Sequence, residues 1–151
     1  MLEIQVQNQY NHPADKVWAL TGNFAGLKAW LPGVMACRVE GEGAKDIGGN
    51  AVRIVDLMDG SITKESLESF DEKNRSYSYA IIDAKGFDAS SEYIAHFKVI
   101  PLDTNRCEVQ WRARFRLPES IPVEKSERAK QRIQQMYQLF LTNLESVLTH
   151  S

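Results

Sequence analysis

Apolar residues recur at three- and four-residue spacing near the end of the chain, from about Ser120 to Leu148. The repeating positions are Ala129, Ile133, Met136, Tyr137, Phe140, Leu144 and Val147. This spacing predicts one long helix with a single apolar stripe. Pro122 suits the first turn of the helix, and Ser120 is the candidate N-cap. At ~1.5 Å per residue such a helix is long enough to cross a whole sheet.

Most of the chain before this helix has the pattern of β-strands. Two short helices are expected after the first strand, because Pro13 suits a helix start and Pro32 a stop. The first helix is expected to bury Val17, Trp18 and Leu20, and the second Phe24, Leu27 and Trp30. Glycines 41, 43, 48 and 49 predict two turns, and Asp59-Gly60 predicts a hairpin. The expected strands cover residues 2–10, 34–40, 51–58, 61–70, 76–82, 91–100 and 106–117.

This order of elements predicts an α+β fold, in which one curved, seven-stranded antiparallel sheet wraps around the C-terminal helix. The chain has 151 residues, of which 43% are hydrophobic and 25% charged. We therefore expect one domain over residues 1–151 that buries its own core. A sheet that grips a helix also tends to leave a cavity between them.

The last two strands predict their inward faces clearly, because apolar residues alternate with polar ones along them. The inward sets are Cys107, Val109, Trp111, Ala113, Phe115 and Leu117, and Tyr93, Ala95, Phe97 and Val99. The two middle strands do not separate in this way, since either face would bury a polar residue such as Arg53 or Asp56. Buried charges need partners or water. The middle strands therefore either border a polar cavity or twist so that both faces are exposed.

Composition excludes several classes of partner. The net charge is −2, and eighteen Lys and Arg are interleaved with twenty Asp and Glu, which is not typical of a nucleic-acid-binding protein. Arg112, Arg114 and Arg116 share one face of a strand and are interpreted as a solvated outer surface. No apolar run is long enough to insert into a membrane, and no signal peptide is recognisable. We therefore expect a cytoplasmic protein.

Residues with strong chemistry are few. Cys37 and Cys107 lack metal-ligand spacing and are expected to be free thiols. His12, His96 and His150 lie far apart in the sequence, and no nucleophile elbow or phosphate-binding loop is present. The sequence therefore predicts neither a metal site nor a cofactor.

Short pieces distributed along nearly the whole chain match one superfamily in their order and spacing. They are residues 12–18, 30–34, 48–53, 59–60 followed by 65–67, 76–79, Tyr93 followed by Phe97, and 107–111. Together they resemble the helix-grip superfamily of START and Bet v 1-like (SRPBCC) domains, in its bacterial polyketide cyclase/dehydrase-like branch. Lys85 to Ala89 stand where the hormone receptors of this superfamily carry a proline-bearing gate, so the chain departs from the receptor pattern there.

The resemblance implies that Arg53 and Glu65 point into the cavity from adjacent strands, as a bidentate ion pair. Such a pair either orients a ligand or is structural, and both interpretations stay open. Tyr79 and Tyr93 would lie beside it, and Phe140 above it. The predicted ligand-binding residues are Arg53, Val55, Leu57, Thr63, Glu65, Tyr79, Tyr93, Phe97, Trp111, Met136 and Phe140.

Members of this superfamily bind lipids, hormones or polyketides, so we expect a small, largely apolar ligand that carries one carbonyl or carboxylate, and a monomer or homodimer. A first alternative is a cyclase- or dehydrase-like enzyme, in which Glu65 or Arg53 polarises an enolisable carbonyl and a tyrosine donates a proton. A second alternative is a protein-interaction domain without a ligand. A noncatalytic binder ranks first, because the sequence offers little else that could carry a reaction.

Overall fold

The computed structural model describes residues 1–41 and 51–151. The elements are β1 (Leu2–Tyr10), α1 (Ala14–Thr21), a 3-10 turn (Leu27–Ala29), β2 (Val34–Glu40), β3 (Val52–Leu57), β4 (Ile62–Asp71), β5 (Ser76–Asp83), β6 (Glu92–Asp103), β7 (Arg106–Arg116) and α2 (Val123–Thr149). The predicted strands and the long helix are confirmed, with bounds that agree to within three residues. The turns predicted at Gly43, Gly48 and Gly49 lie outside the described residues.

The seven strands form one antiparallel sheet in the order β1-β7-β6-β5-β4-β3-β2. Helix α2 contacts the β1 edge of the sheet, where the Tyr10 hydroxyl donates a 2.7 Å hydrogen bond to the carbonyl of Leu141. The Lys16 ammonium on α1 donates to the carbonyl of Leu148 at 3.0 Å, in the last turn of α2. The predicted helix-grip arrangement is therefore confirmed.

The inward faces predicted for β6 and β7 are also confirmed. Every inward residue from Tyr93 to Val99 and from Cys107 to Phe115 is buried. Arg112, Arg114 and Arg116 are exposed on the opposite face, as expected.

The helices differ from the prediction in three details. Helix α2 begins after Pro122 without a side-chain cap, so Ser120 is not its N-cap. The second short helix is a single 3-10 turn. Leu20 is only half-buried and Thr21 is buried instead, because the Thr21 hydroxyl donates to the carbonyl of Val17 at 2.9 Å and leaves no polar group unpaired.

The apolar stripe of α2 is not equally buried along the helix. Its C-terminal part buries Leu141, Leu144 and Leu148, whereas Met136 at the middle of the helix is 41% exposed. The middle of α2 lies over a cavity and not over packed strands, which explains the exposure of Met136. Among the described residues, no helix is long and apolar enough to cross a membrane.

Candidate functional site

A cavity of about 250 Å³ lies between the sheet and the middle of α2. Nine of the eleven predicted ligand-binding residues line it, although their part in binding stays a prediction. They are Val55, Leu57, Thr63, Glu65, Tyr79, Tyr93, Trp111, Met136 and Phe140. The cavity that the resemblance implied is therefore present, and the middle strands border it.

Arg53 and Phe97 do not line this cavity, which corrects their predicted placement. Phe97 is fully buried, with its ring against Trp30 and Trp111, so it belongs to the packed part of the core. Arg53 is only 2% exposed, because its guanidinium lies between the rings of Phe24 and Tyr79. The predicted inward parity was right for both residues, but parity alone does not show how far a side chain reaches.

The Arg53 guanidinium has its hydrogen bonds directed at two different groups. Its Nε donates to Glu65 Oε1 at 2.5 Å, and its Nη1 donates to the carbonyl of Phe24 at 3.2 Å. The guanidinium carbon also lies 4.4 Å from the ring centroid of Phe24 and 4.7 Å from that of Tyr79. The expected bidentate pairing with Glu65 is therefore wrong, because the Phe24 carbonyl takes one of the donors.

Neighbouring groups keep the buried Arg53 side chain protonated. Burial opposes the charge, but the Glu65 carboxylate and two neighbouring tyrosines outweigh burial, and the pKa of Arg53 is raised. Glu65 faces Arg53 directly across the β3–β4 register, and its side chain is 12% exposed. Within the part of the chain that the structure describes, Glu65 Oε2 accepts no hydrogen bond. The carboxylate thus presents one unpaired oxygen, and its residue lines the cavity.

Three tyrosine hydroxyls and one indole form a hydrogen-bonded group, which we call the tyrosine cluster: Tyr79, Tyr93, Tyr137 and Trp111. The Tyr137 hydroxyl bonds to that of Tyr93 and lies 3.4 Å from that of Tyr79. Trp111 Nε1 donates to the Tyr79 hydroxyl at 3.3 Å, and the Trp111 ring stacks on the Tyr137 ring at a centroid distance of 4.0 Å. All four residues line the cavity.

Burial is the main cause that raises the pKa of each tyrosine in the cluster above its ordinary value of 10. The Glu65 carboxylate is the second cause for Tyr79. The hydroxyls therefore keep their protons at neutral pH. They can donate hydrogen bonds to a ligand but cannot act as phenolate bases.

Eight cavity-lining residues were not predicted as part of the site. They are Leu27, Leu31, Pro32, Ile81, Phe87, Leu117, Ile133 and Tyr137. Ile133 and Tyr137 had a sequence signal, since both belong to the apolar stripe that includes Met136 and Phe140. Phe87 is an aromatic residue in the otherwise polar β5–β6 loop, which could have marked it as a wall residue. The others come from loops and strand ends, whose positions depend on the tertiary fold.

No group of three or more His, Cys, Asp or Glu side chains in residues 1–41 and 51–151 is arranged to hold a metal ion. His96 lies on the outer face of the sheet, where burial and then Arg112 lower its pKa. Cys37 and Cys107 are free thiols, as expected.

Solved structures share this fold over nearly the whole chain. An uncharacterised protein from Bacillus thuringiensis is 25% identical, with a TM-score of 0.81, and the match covers 98% of this chain and 99% of that one. A START superfamily protein from Mycobacterium smegmatis is 10% identical, with a TM-score of 0.69 and coverages of 97% and 93%. BexL, a di-domain ARO/CYC protein of a biosynthetic pathway, is 16% identical over 99% of this chain and 47% of its own, with a TM-score of 0.79.

These similarities establish a START-like fold and leave the activity open, because unrelated functions share folds. Among curated proteins, none matches this sequence. The model of one family, described as polyketide cyclase / dehydrase and lipid transport, matches residues 1–149. The chain therefore belongs to the polyketide cyclase / dehydrase and lipid transport family.

Proposed function

We propose that this protein binds a small, largely apolar molecule in the cavity beneath the middle of α2. The observation that carries the proposal is the make-up of the wall. Aliphatic and aromatic side chains from the sheet, the loops and the helix surround the space, and polar groups are few. Such a combination is typical of sites that bind small molecules. Apolar burial would supply the affinity, at about 25 cal/mol per Å².

The volume limits the size of the ligand. An engineered cavity of about 150 Å³ holds benzene, and sites for drug-sized ligands begin at about 300 Å³. A cavity of about 250 Å³ lies between these values. The proposed ligand is therefore a molecule with one or two rings, or a short chain of similar bulk.

Filling the cavity tests this proposal. Ile133→Trp places a large ring in the wall of the cavity, whereas Leu139→Trp adds the same ring to an exposed position of the same helix. Titration with α-methylstyrene, followed by calorimetry, should show binding to the natural protein and to Leu139→Trp. Ile133→Trp should bind about tenfold more weakly or worse, which corresponds to ~1.4 kcal/mol. Equal affinities of the two variants would place the ligand elsewhere.

A second candidate function is enolisation of a bound carbonyl compound, in keeping with the cyclase and dehydrase activities in the family's description. It is supported by Glu65, whose Oε2 accepts no hydrogen bond from the residues that the structure describes, and by the tyrosine cluster, because these residues line the same cavity. Glu65 would take a proton from the carbon next to the carbonyl. The electron pair would move to the carbonyl oxygen, where a tyrosine hydroxyl would stabilise the enolate. Glu65 would then return a proton to the carbon.

Deuterium exchange separates this candidate from simple binding. If the protein catalyses enolisation, the methyl group of acetophenone will take up deuterium from D₂O faster than in buffer alone. Glu65→Gln should abolish the excess exchange, because an amide does not accept the proton. Binding of acetophenone without excess exchange would reject enolisation and leave the binding function in place.

A further inference from the structure

The tyrosine cluster contains more hydrogen-bond donors than it can use itself. We infer that the cavity selects a neutral carbonyl compound, whose oxygen accepts the one proton that the cluster leaves without an acceptor. This inference rests on the proposed binding function and specifies its ligand. It depends on three observations: the donor count of the cluster, the charge of the wall and the orientation of Arg53.

The donor count follows from the three hydrogen bonds of the cluster. Three hydroxyls and the Trp111 indole supply four donor hydrogens. One bond joins Trp111 to Tyr79, one joins Tyr79 to Tyr137, and one joins Tyr137 to Tyr93. Three bonds use three hydrogens, so one hydroxyl hydrogen is left whichever way the hydroxyls rotate.

This surplus hydrogen needs an acceptor, because an unpaired donor in an apolar site costs free energy. Within residues 1–41 and 51–151, no hydrogen bond joins the cluster to Glu65. The tyrosines remain protonated because burial raises their pKa values. A ligand oxygen in the cavity can therefore accept the proton, and a ligand that only donates hydrogen bonds leaves it unpaired.

The charge of the wall disfavours an acid. Glu65 is the one charged residue among the described residues that line the cavity. Arg53 does not reach the wall, and its hydrogen bonds go to Glu65 and to the carbonyl of Phe24. A ligand carboxylate could accept a hydrogen bond from the surplus hydrogen, but the Glu65 carboxylate would repel it. No cation among the described wall residues would offset this repulsion. A neutral ketone, aldehyde or ester has the acceptor without the charge.

Four probes with planar head groups of similar size on one phenyl ring separate these possibilities. Acetophenone carries a carbonyl, α-methylstyrene replaces its oxygen with a methylene, benzoate carries a negative charge, and benzamidinium carries a positive one. We expect the natural protein to bind acetophenone about fivefold more tightly than α-methylstyrene, the factor of one net hydrogen bond. Benzoate and benzamidinium should both bind more weakly than acetophenone.

Phenylalanine variants test whether the cluster is the source of the preference. Replacing Tyr79, Tyr93 and Tyr137 together removes every hydroxyl, and the preference for acetophenone over α-methylstyrene should disappear. Because the triple variant could fail to fold, Tyr137→Phe provides a second test. It removes the central hydroxyl and both of its bonds but leaves two hydroxyls with their hydrogens, so the preference should persist. Tyr10→Phe is the control, since Tyr10 bonds to Leu141 outside the cavity.

The outcomes distinguish this inference from the function on which it rests. Equal binding of acetophenone and α-methylstyrene would overturn the inference and leave the apolar binding function in place. Tighter binding of benzoate or of benzamidinium would also overturn it. Loss of the preference in Tyr137→Phe would contradict the donor count. If neither neutral probe binds, both the inference and the proposed function fail.

Discussion

Beneath the C-terminal part of α2, where Tyr10 meets Leu141, the sheet presents apolar side chains that are fully buried, such as Val99, Cys107 and Val109. Beneath the middle of α2, it presents an ion pair, a tyrosine cluster and a cavity. We call these regions the packed half and the cavity half. The same curved sheet and the same helix build both, so the difference comes from the side chains and not from the architecture.

The comparison shows that the two halves contribute differently to stability and to ligand binding. Close packing of apolar groups stabilises a fold, and any change of volume there is costly. A buried ion pair adds little net stability, because desolvation offsets most of the attraction. The cavity half therefore contributes less to folding but keeps polar groups where a ligand can meet them. Three predictions sharpen this comparison or would break it.

The largest expected effect is a loss of stability at alkaline pH, because buried tyrosines resist ionisation. Burial is the largest cause that raises the pKa of all five tyrosines, and three of them, Tyr79, Tyr93 and Tyr137, belong to the cavity half. In the unfolded chain these groups ionise near their ordinary pKa of 10, so the unfolded state binds fewer protons above that pH. Below pH 10 the tyrosines should leave the free energy of unfolding unaffected. It should then fall by about 1.4 kcal/mol per pH unit for each tyrosine, until the pH passes the raised pKa values of the folded state.

Urea denaturation at several pH values on either side of 10 measures this slope. Tyr93→Phe should reduce the slope by one proton, and Tyr10→Phe should reduce it by the same amount. If Tyr10→Phe reduces the slope but Tyr93→Phe leaves it unchanged, the hydroxyls of the cavity half ionise freely. The cavity half would then be open to water, and the comparison would fail.

Removing a ring should cost more in the packed half than in the cavity half. Phe97 is fully buried in the packed part of the core, so Phe97→Ala should lower the free energy of unfolding by about 4 kcal/mol. Phe140 is half-buried at the edge of a space that already exists, so Phe140→Ala should cost clearly less. Denaturant titration of both variants compares them directly. Equal losses would mean that the cavity half is packed as tightly as the rest of the core.

Removing one member of the Arg53–Glu65 ion pair should lower the free energy of unfolding more than removing both. Arg53→Met leaves the Glu65 carboxylate unpaired and should cost about 3 kcal/mol, at the low end for a buried pair because Glu65 is partly exposed. The double variant Arg53→Met with Glu65→Leu should recover much of this loss, since no charge is left buried. If the double variant is no more stable than Arg53→Met, the pair itself stabilises the cavity half.

The placement of the site residues shows where prediction from sequence reaches its limit. Val55, Leu57 and Thr63 were expected in the cavity wall, and they line it, because their strand parity places them inward. Arg53 has the same parity but folds back between Phe24 and Tyr79. A long, flexible side chain can satisfy its donors in several directions, and the choice depends on which carbonyls and rings the fold brings near. Parity therefore predicted the face of a residue but not its partners.

The sequence by itself determined the seven strands, the inward faces of the last two and the long C-terminal helix, because these follow from periods of two and 3.6 residues along a continuous chain. It also contained enough matching pieces to indicate the family. Only the tertiary structure decided that Tyr79, Tyr93 and Tyr137 share a hydrogen-bonded cluster, since they come from three elements and lie up to 58 positions apart. Contacts of that kind depend on how strands and helix meet in space, which a local pattern does not encode.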